Sequence, residues 1–291
     1  MRNKLADIAL AIVAIIWGTG FAASQMALDA RLSPFQIMTY RFFISSVLMI
    51  VMFWKEFVKI RLPEIKSGAI IGFFLFSSFA FQTIGLQYTT PSKNAFITAT
   101  NVVMVPFIYW VFLRRKPDKY SIIGAILTII GISFLTLEGS FSVGSGDLLT
   151  LVCALGFALH IISIGYFTKK HSPIQLVIVQ MITAFFLSMV CLFFAQDAVT
   201  LTQKGIFAVL YLGVLSTTVA FLIQNIAQKY VNATKTAIIL STEAVFGTLS
   251  SVIFLGESLS LKMIIGCLII FAAIIVTETK LDFIKVKRQM N

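Results

Sequence analysis

Residues 234–257 read TKTAIILSTEAVFGTLSSVIFLGE, an apolar, small-residue run long enough to cross a bilayer, with one carboxylate, Glu243, in its interior. A helix starting at Thr234 puts Glu243 roughly 14 Å along its axis, near the middle of a hydrocarbon layer about 30 Å thick. On insertion scales an Asp, Lys or Arg at that depth costs on the order of 2.5 to 3.5 kcal/mol, so such residues face a bundle interior, a partner or a water-filled cavity. The rest of the chain reads as the wall of that cavity.

Of 291 residues 58% are hydrophobic and 12% charged, with 28 Phe. A soluble domain carries about 25% charge, so this is an integral membrane protein. Apolar runs recur about every 25 to 30 residues and leave no room for a soluble domain. We read ten spans: 5–26, 34–54, 67–88, 91–113, 120–137, 147–167, 173–194, 205–227, 234–255 and 261–277. Taken alone, span 1 behind Arg2 and Lys4 resembles a signal peptide, with Gly20 and Ala22 at a cleavage-like spacing. Its length, and a related segment at 147–167, argue for a span. The Gly18, Gly20, Ala23 match to a dinucleotide fingerprint follows no strand, so close helix packing is the better reading.

The net charge of +11 would suggest nucleic acid in a soluble protein. Here its distribution has a simpler cause. Basic residues cluster in alternate connections: Arg2 and Lys4, Lys55 to Lys66, Arg114 to Lys119, Lys169 and Lys170, Lys229 and Lys235, and the tail from Lys280. The positive-inside rule then places both termini in the cytoplasm, and the partners are a lipid bilayer and a small-molecule substrate, not nucleic acid. Cys153, Cys191 and Cys267 sit in separate apolar runs without C-x-x-C spacing, so they indicate no disulfide framework or zinc site. No metal or cofactor is expected.

The chain repeats itself at a separation of about 140 residues. SPFQI at 33–37 recurs as SPIQL at 172–176, each a Ser-Pro helix start. Asp7 falls against Asp147, Gln82 and Thr83 against Gln224 and Asn225, Lys93 against Lys235, Gly124 against Gly266, and Asn101 against Glu243. The domains are therefore a first repeat at 1–138, a connecting segment at 139–146, a second repeat at 147–279 and a basic cytoplasmic tail at 280–291. Five spans per half is an odd number, so the second half enters the membrane from the opposite side. The fold class is all-α integral membrane, ten helices in two inverted five-helix repeats. In secondary transporters built this way the binding site lies at the repeat interface near the midplane.

Asn94, Thr98 and Asn101 follow i, i+4, i+7 spacing on one face of span 4, and Thr236 and Glu243 occupy the matching face of span 9. These faces would line the cavity; simple interhelical hydrogen bonding is the alternative. Glu243 could pair with a cationic or amino group of a substrate or with an internal cation, or it could carry a proton, and sequence does not choose between them. His160 is a second proton-titrating candidate, with a satisfied histidine inside the bundle as the favoured alternative. Lys93 and Lys235 at span ends could act as gates or as snorkelling anchors. Arg41, about two turns into span 2 with Gln180 as its repeat counterpart, could counter a carboxylate or snorkel. Trp17 and its counterpart Phe157 could stack on a substrate.

The chain resembles the drug/metabolite transporter superfamily, specifically its EamA-type ten-helix members. The resemblance rests on AIIWGTGFAAS at 14–24, SPFQIMTYRF at 33–42, GLQYTTPSKNAFITATNVVMVPF at 85–107, GDLLTLVCALGFALHI at 146–161 and STEAVFGTLSSVIFLGESLS at 241–260. The Leu255, Gly256, Glu257 triplet is typical of it; Leu113, Arg114 and Arg115 replace the acidic form in the first half. The resemblance implies a basket of helices 1 to 4 and 6 to 9 around a central cavity, helices 5 and 10 outside it, and export of amino acids or related metabolites. The expected cavity residues are Trp17, Gln82, Asn94, Thr98, Asn101, Gln224, Asn225 and Glu243. A drug or nucleotide-type exchanger, and a non-transporting receptor or channel, stay open as alternatives, as does a homodimer. A membrane enzyme is disfavoured: the chain has no H-E-x-x-H or G-x-S-x-G and two histidines.

Overall fold

The computed structural model describes residues 2–114, 116–136, 144–195 and 202–279. Most of the expected connecting segment, up to residue 143, and the whole basic tail 280–291 lie outside the described residues. Among the described residues ten long helices follow in order: α1 (Arg2–Asp29), α2 (Pro34–Met52), α3 (Leu62–Leu86), α4 (Pro91–Ala99 and Asn101–Leu113), α5 (Lys119–Thr136), α6 (Ser145–Phe167), α7 (Pro173–Ala195), α8 (Gln203–Gln228), α9 (Ala233–Ser241 and Glu243–Leu255) and α10 (Leu261–Thr279). A single turn, Trp54–Phe57, lies between α2 and α3. Eight of the ten are long and apolar enough to cross a membrane, and α5 and α10 are shorter apolar helices.

The helix starts are written locally. Ser33 Oγ accepts from Gln36 N at 3.2 Å while Gln36 Oε1 accepts from Ser33 N at 3.0 Å, a capping box ahead of Pro34. Thr90 Oγ1 accepts from Lys93 N, and its repeat counterpart Asn232 accepts from Lys235 N, so α4 and α9 are capped alike. α3 begins at Leu62, ahead of the expected 67, because Glu64 Oε2 accepts from Arg61 N at 3.1 Å and Pro63 suits a first turn.

Packing repeats with the halves exchanged. α1 lies on α9 as α6 lies on α4, α3 on α6 as α8 on α1, and α3 on α7 as α8 on α2; α2 with α7, α4 with α9 and α5 with α10 are helices packed on their own counterparts. α1 and α9 begin together, Lys235 Nζ donating to Asp7 Oδ2 at 2.7 Å. α4 and α6 begin together at the opposite end, where Thr89 donates to Asp147 Oδ1 at 2.5 Å. The second half therefore threads the bundle in the reverse direction. Outside, large apolar side chains stand bare, with Phe193 77% and Ile253 70% exposed; inside, Asn94, Gln180, Gln224 and Asn225 are wholly buried. This arrangement suits lipid as the surrounding solvent.

The Leu255, Gly256, Glu257 triplet has a structural reason. Gly256 takes φ 67° to end α9 in the left-handed region. The turn delivers Glu257 to the other half, where Oε2 accepts from Ser92 N at 3.2 Å and Ser92 Oγ at 2.8 Å in the first turn of α4. Glu257→Ala is expected to cost about 1 to 2 kcal/mol, the worth of a charge-assisted cap in a partly exposed position, and Glu257→Gln clearly less. Thermal unfolding in detergent checks it; equal melting temperatures for Ala and Gln variants would remove the cap from the account.

Candidate functional site

The continuous spans expected for helices 4 and 9 are each broken, at equivalent residues. Thr100 has φ −65° and ψ −10°, and Thr242 φ −64° and ψ −12°. At each, hydroxyl and backbone N–H donate to the same carbonyl three residues back: Thr100 Oγ1 and N to Ile97 O at 2.6 and 3.1 Å, Thr242 Oγ1 and N to Ile239 O at 2.7 and 3.3 Å. Back-bonding of this kind tightens the turn and bends the helix. Asn101 and Glu243 are the first residues of the restarted segments. A carboxylate is favoured at a helix start, where free N–H groups and the helix dipole are positive.

Both residues line one cavity in the middle of the bundle. Trp17, Gln82, Gln224, His160 and Arg41 line it too, with Phe79, Phe157 and Phe221 as an aromatic wall. Phe79 stands edge-on to Phe157 at 5.2 Å and to Phe221 at 6.0 Å, and Trp17 lies 4.9 Å from Phe221. None of its lining comes from α5 or α10, and none from α7, which was expected in the wall.

The cavity holds polar atoms that no described residue satisfies. Both amide atoms of Gln224, Asn101 Oδ1 and His160 Nδ1 are buried without a hydrogen-bond partner. The Glu243 carboxylate, 7% exposed, makes no hydrogen bond or ion pair among the described residues. Each such buried group left unmet costs about 1 to 3 kcal/mol, so these atoms call for water or a polar ligand in the cavity. Among the described residues no three His, Cys, Asp or Glu side chains converge to hold a metal ion.

Other expected site residues fall elsewhere. Asn94 Nδ2 donates to Thr150 Oγ1 at 2.9 Å and Gln82 O at 3.2 Å, tying α4 to α6 and α3. Thr98 Oγ1 accepts from Gln82 Nε2 at 3.3 Å, and Asn225 bonds back to Phe221 O at 2.9 Å. These three, and Lys93 and Lys235, do not line the cavity. His160 Nε2 lies 3.1 Å from Gln180 Oε1.

A π-helix in α8 has no counterpart in the expected spans. It covers Leu212–Val219, and within it Thr218 Oγ1 donates to Gly213 O at 2.7 Å, five residues back. The widened turn presents Ser216 O to Trp17 Nε1 at 2.8 Å and Thr217 Oγ1 to Arg41 Nε at 2.9 Å. Arg41 is 2% exposed, so its side chain turns inward and does not snorkel. The polar triplet Ser216, Thr217, Thr218 inside an apolar span was the available signal. Repeat matching passes over it, since π-segments are local and rare.

The chain matches the EamA-like transporter family over residues 4–137 and 144–279. It is 35% identical over 280 residues to an uncharacterized transporter of Archaeoglobus fulgidus, covering 96% of this chain and 88% of that protein. It is 25% identical to the uncharacterized transporter YvbV of Bacillus subtilis, covering 93% of this chain and 90% of that one. A solved crystal structure aligns with a TM-score of 0.72 at 18% identity, covering 96% of this chain and 99% of the other, a likeness of fold.

Proposed function

We propose, from the premise that the chain belongs to the EamA-like transporter family, that it exports amino acids or related small metabolites across the cytoplasmic membrane by alternating access. The protein is a multi-pass membrane transporter and not an enzyme. The observation that carries the finer reading is the pair of equivalent breaks in α4 and α9, which set Asn101 and Glu243 at helix starts on one central cavity. Discontinuous helices with such starts at the midplane are how secondary transporters hold polar substrates and coupling ions.

In this mechanism α5 and α10 also span, both termini are cytoplasmic, and the two halves rock about the cavity. Polar ties at each end, Asp7 with Lys235 and Ser92 with Glu257, break and reform in turn as the site changes sides. Glu243 either faces an amino group or takes up a proton. A polyanionic nucleotide fits badly beside that carboxylate, so we favour amino acids.

Uptake of a labelled amino acid and metabolite panel into proteoliposomes, with and without an imposed pH gradient, tests this. The native protein should move at least one amino acid. Glu243→Gln should lose the stimulation by the gradient, about tenfold or more; exchange retained assigns the carboxylate the proton, and exchange lost along with it assigns the carboxylate the substrate's amino group. Unchanged gradient-driven uptake in the Gln form would make Glu243 a packing residue; no uptake of any amino acid by the native protein would overturn the substrate assignment.

A further inference from the structure

Arg41 is a fully buried cation on the cavity wall whose charge no group among the described residues answers. It forms no ion pair with a carboxylate there, Glu243 included. Its contacts are neutral: Thr217 Oγ1 at 2.9 Å from Nε, Ser216 Oγ at 3.5 Å from Nη2, and the Phe79 ring at 4.0 Å from Cζ. A guanidinium has five N–H donors in a fixed fork, and these contacts occupy two. Neutral hydroxyls and a ring hold its position without neutralising it, and burying a lone charge is costly unless something pairs with it.

The repeat supplies an internal control. The equivalent place in α7 holds Gln180, wholly buried and bonded to His160. This helix position therefore packs without a charge. The cation in α2 is an addition, and it comes with its own support, the π-helical turn of α8 that aims Thr217 at Nε.

Resting on the reading of this cavity as the substrate site, we propose that Arg41 is the specificity-determining anion receptor: its free edge takes a carboxylate of the substrate as a paired fork. Glu243 in the same cavity repels a dianion, so the preference is for a single negative charge. A substrate held by both ends carries a carboxylate at Arg41 and a cationic group toward Glu243, its apolar part against Phe79 and Phe221.

The test compares labelled amino acids with their carboxamides, matched atom for atom, as substrates and as competitors in proteoliposomes. Native protein should prefer acid over amide by about tenfold to a hundredfold, the worth of hydrogen bonds to a charged group. Arg41→Gln, which copies the α7 position, should erase the preference by weakening the acid and leaving the amide within about twofold. Thr217→Val, which keeps size and removes the Nε anchor, should cut the preference by about threefold to tenfold and gives the answer should Arg41→Gln not fold; melting temperatures accompany both. An acid preference retained in the variants, or equal loss of acid and amide, overturns the anion receptor while the transporter reading stands. Transport of amides alone by the native protein does the same. Transport of neither class removes the amino-acid reading and this inference with it.

Discussion

Gly18→Leu is expected to abolish the folded protein: no monodisperse peak in mild detergent and no cooperative melt. A Cβ on Gly18 would stand 2.4 Å from Phe246 Cβ, 2.8 Å from Gly247 N and 2.9 Å from Glu243 O. Two of these obstacles are backbone, so no rotamer change relieves them, and α1 must leave α9. Overpacking where side chains can adjust costs about 1 to 3 kcal/mol; against backbone it should exceed about 3 kcal/mol, a large share of the roughly 5 to 15 kcal/mol typical of a domain. The separation would also break the bond from Ser250 Oγ to Gly18 O and pull Trp17 from the cavity. Gly165→Ala is the control. Its Cβ would meet nothing nearer than 3.4 Å, so helix propensity should raise stability by about 0.5 to 1 kcal/mol. A Gly18→Leu protein that elutes and melts like native would mean the two helices do not approach as described.

That contact shows how much could be read beforehand. Small residues at 18, 20, 22 and 23 were readable as close helix packing, though not which helix would arrive. Span positions followed from apolar runs, because lipid demands uninterrupted apolar length. The correspondence of Asn101 with Glu243 followed from the repeat, and the structure places both at one cavity. Depth along a helix is a property of sequence number, so it survives; direction around the axis does not. The tightened turn at Thr100 resets the rotation of α4, which is why Asn94 and Thr98, sharing a nominal stripe with Asn101, bond to α6 and α3 while Asn101 lines the cavity. The signal was present as Thr directly before Asn101 and before Glu243, and it becomes legible once Thr back-bonding is weighed against continuous helix.

Arg41 is the harder case. At two turns depth an arginine can reach either interface or interior, and only the partner helix decides. That helix is α8, and its conformation rests on a π-turn that hydropathy does not register. α8 carries a π-turn, which takes one residue more than an α-turn, where its counterpart α3 is regular α-helix.

Deleting Val214, a residue 37% exposed on the outer side of the π-segment, is therefore expected to leave a folded protein that scarcely transports. Removing the surplus residue lets the turn close as α-helix, so Gln203–Tyr211 and Ala220–Gln228 keep their register on α1, α2 and α7. What changes is the middle. The Ser216 carbonyl withdraws into an i→i−4 bond and leaves Trp17 Nε1, and Thr217 turns from Arg41 Nε. Loss of the Thr217 anchor alone accounts for about threefold to tenfold, and loss of a neutral bond worth about 1 kcal/mol for about fivefold, so the two together correspond to about fifteenfold to fiftyfold in transport. Melting temperature should fall by only a few degrees, because no core side chain is removed. Deleting Ile206, which lies in a regular turn of the same helix, is the control: no surplus exists there, so its loss should rotate the helix start and cost stability. The Val214 deletion should thus lose transport and keep its melting temperature, whereas the Ile206 deletion should lose the melting temperature first. Full transport by the Val214 deletion would reduce the π-turn to a packing accommodation and require another account of why α8 departs from α3 beside Arg41.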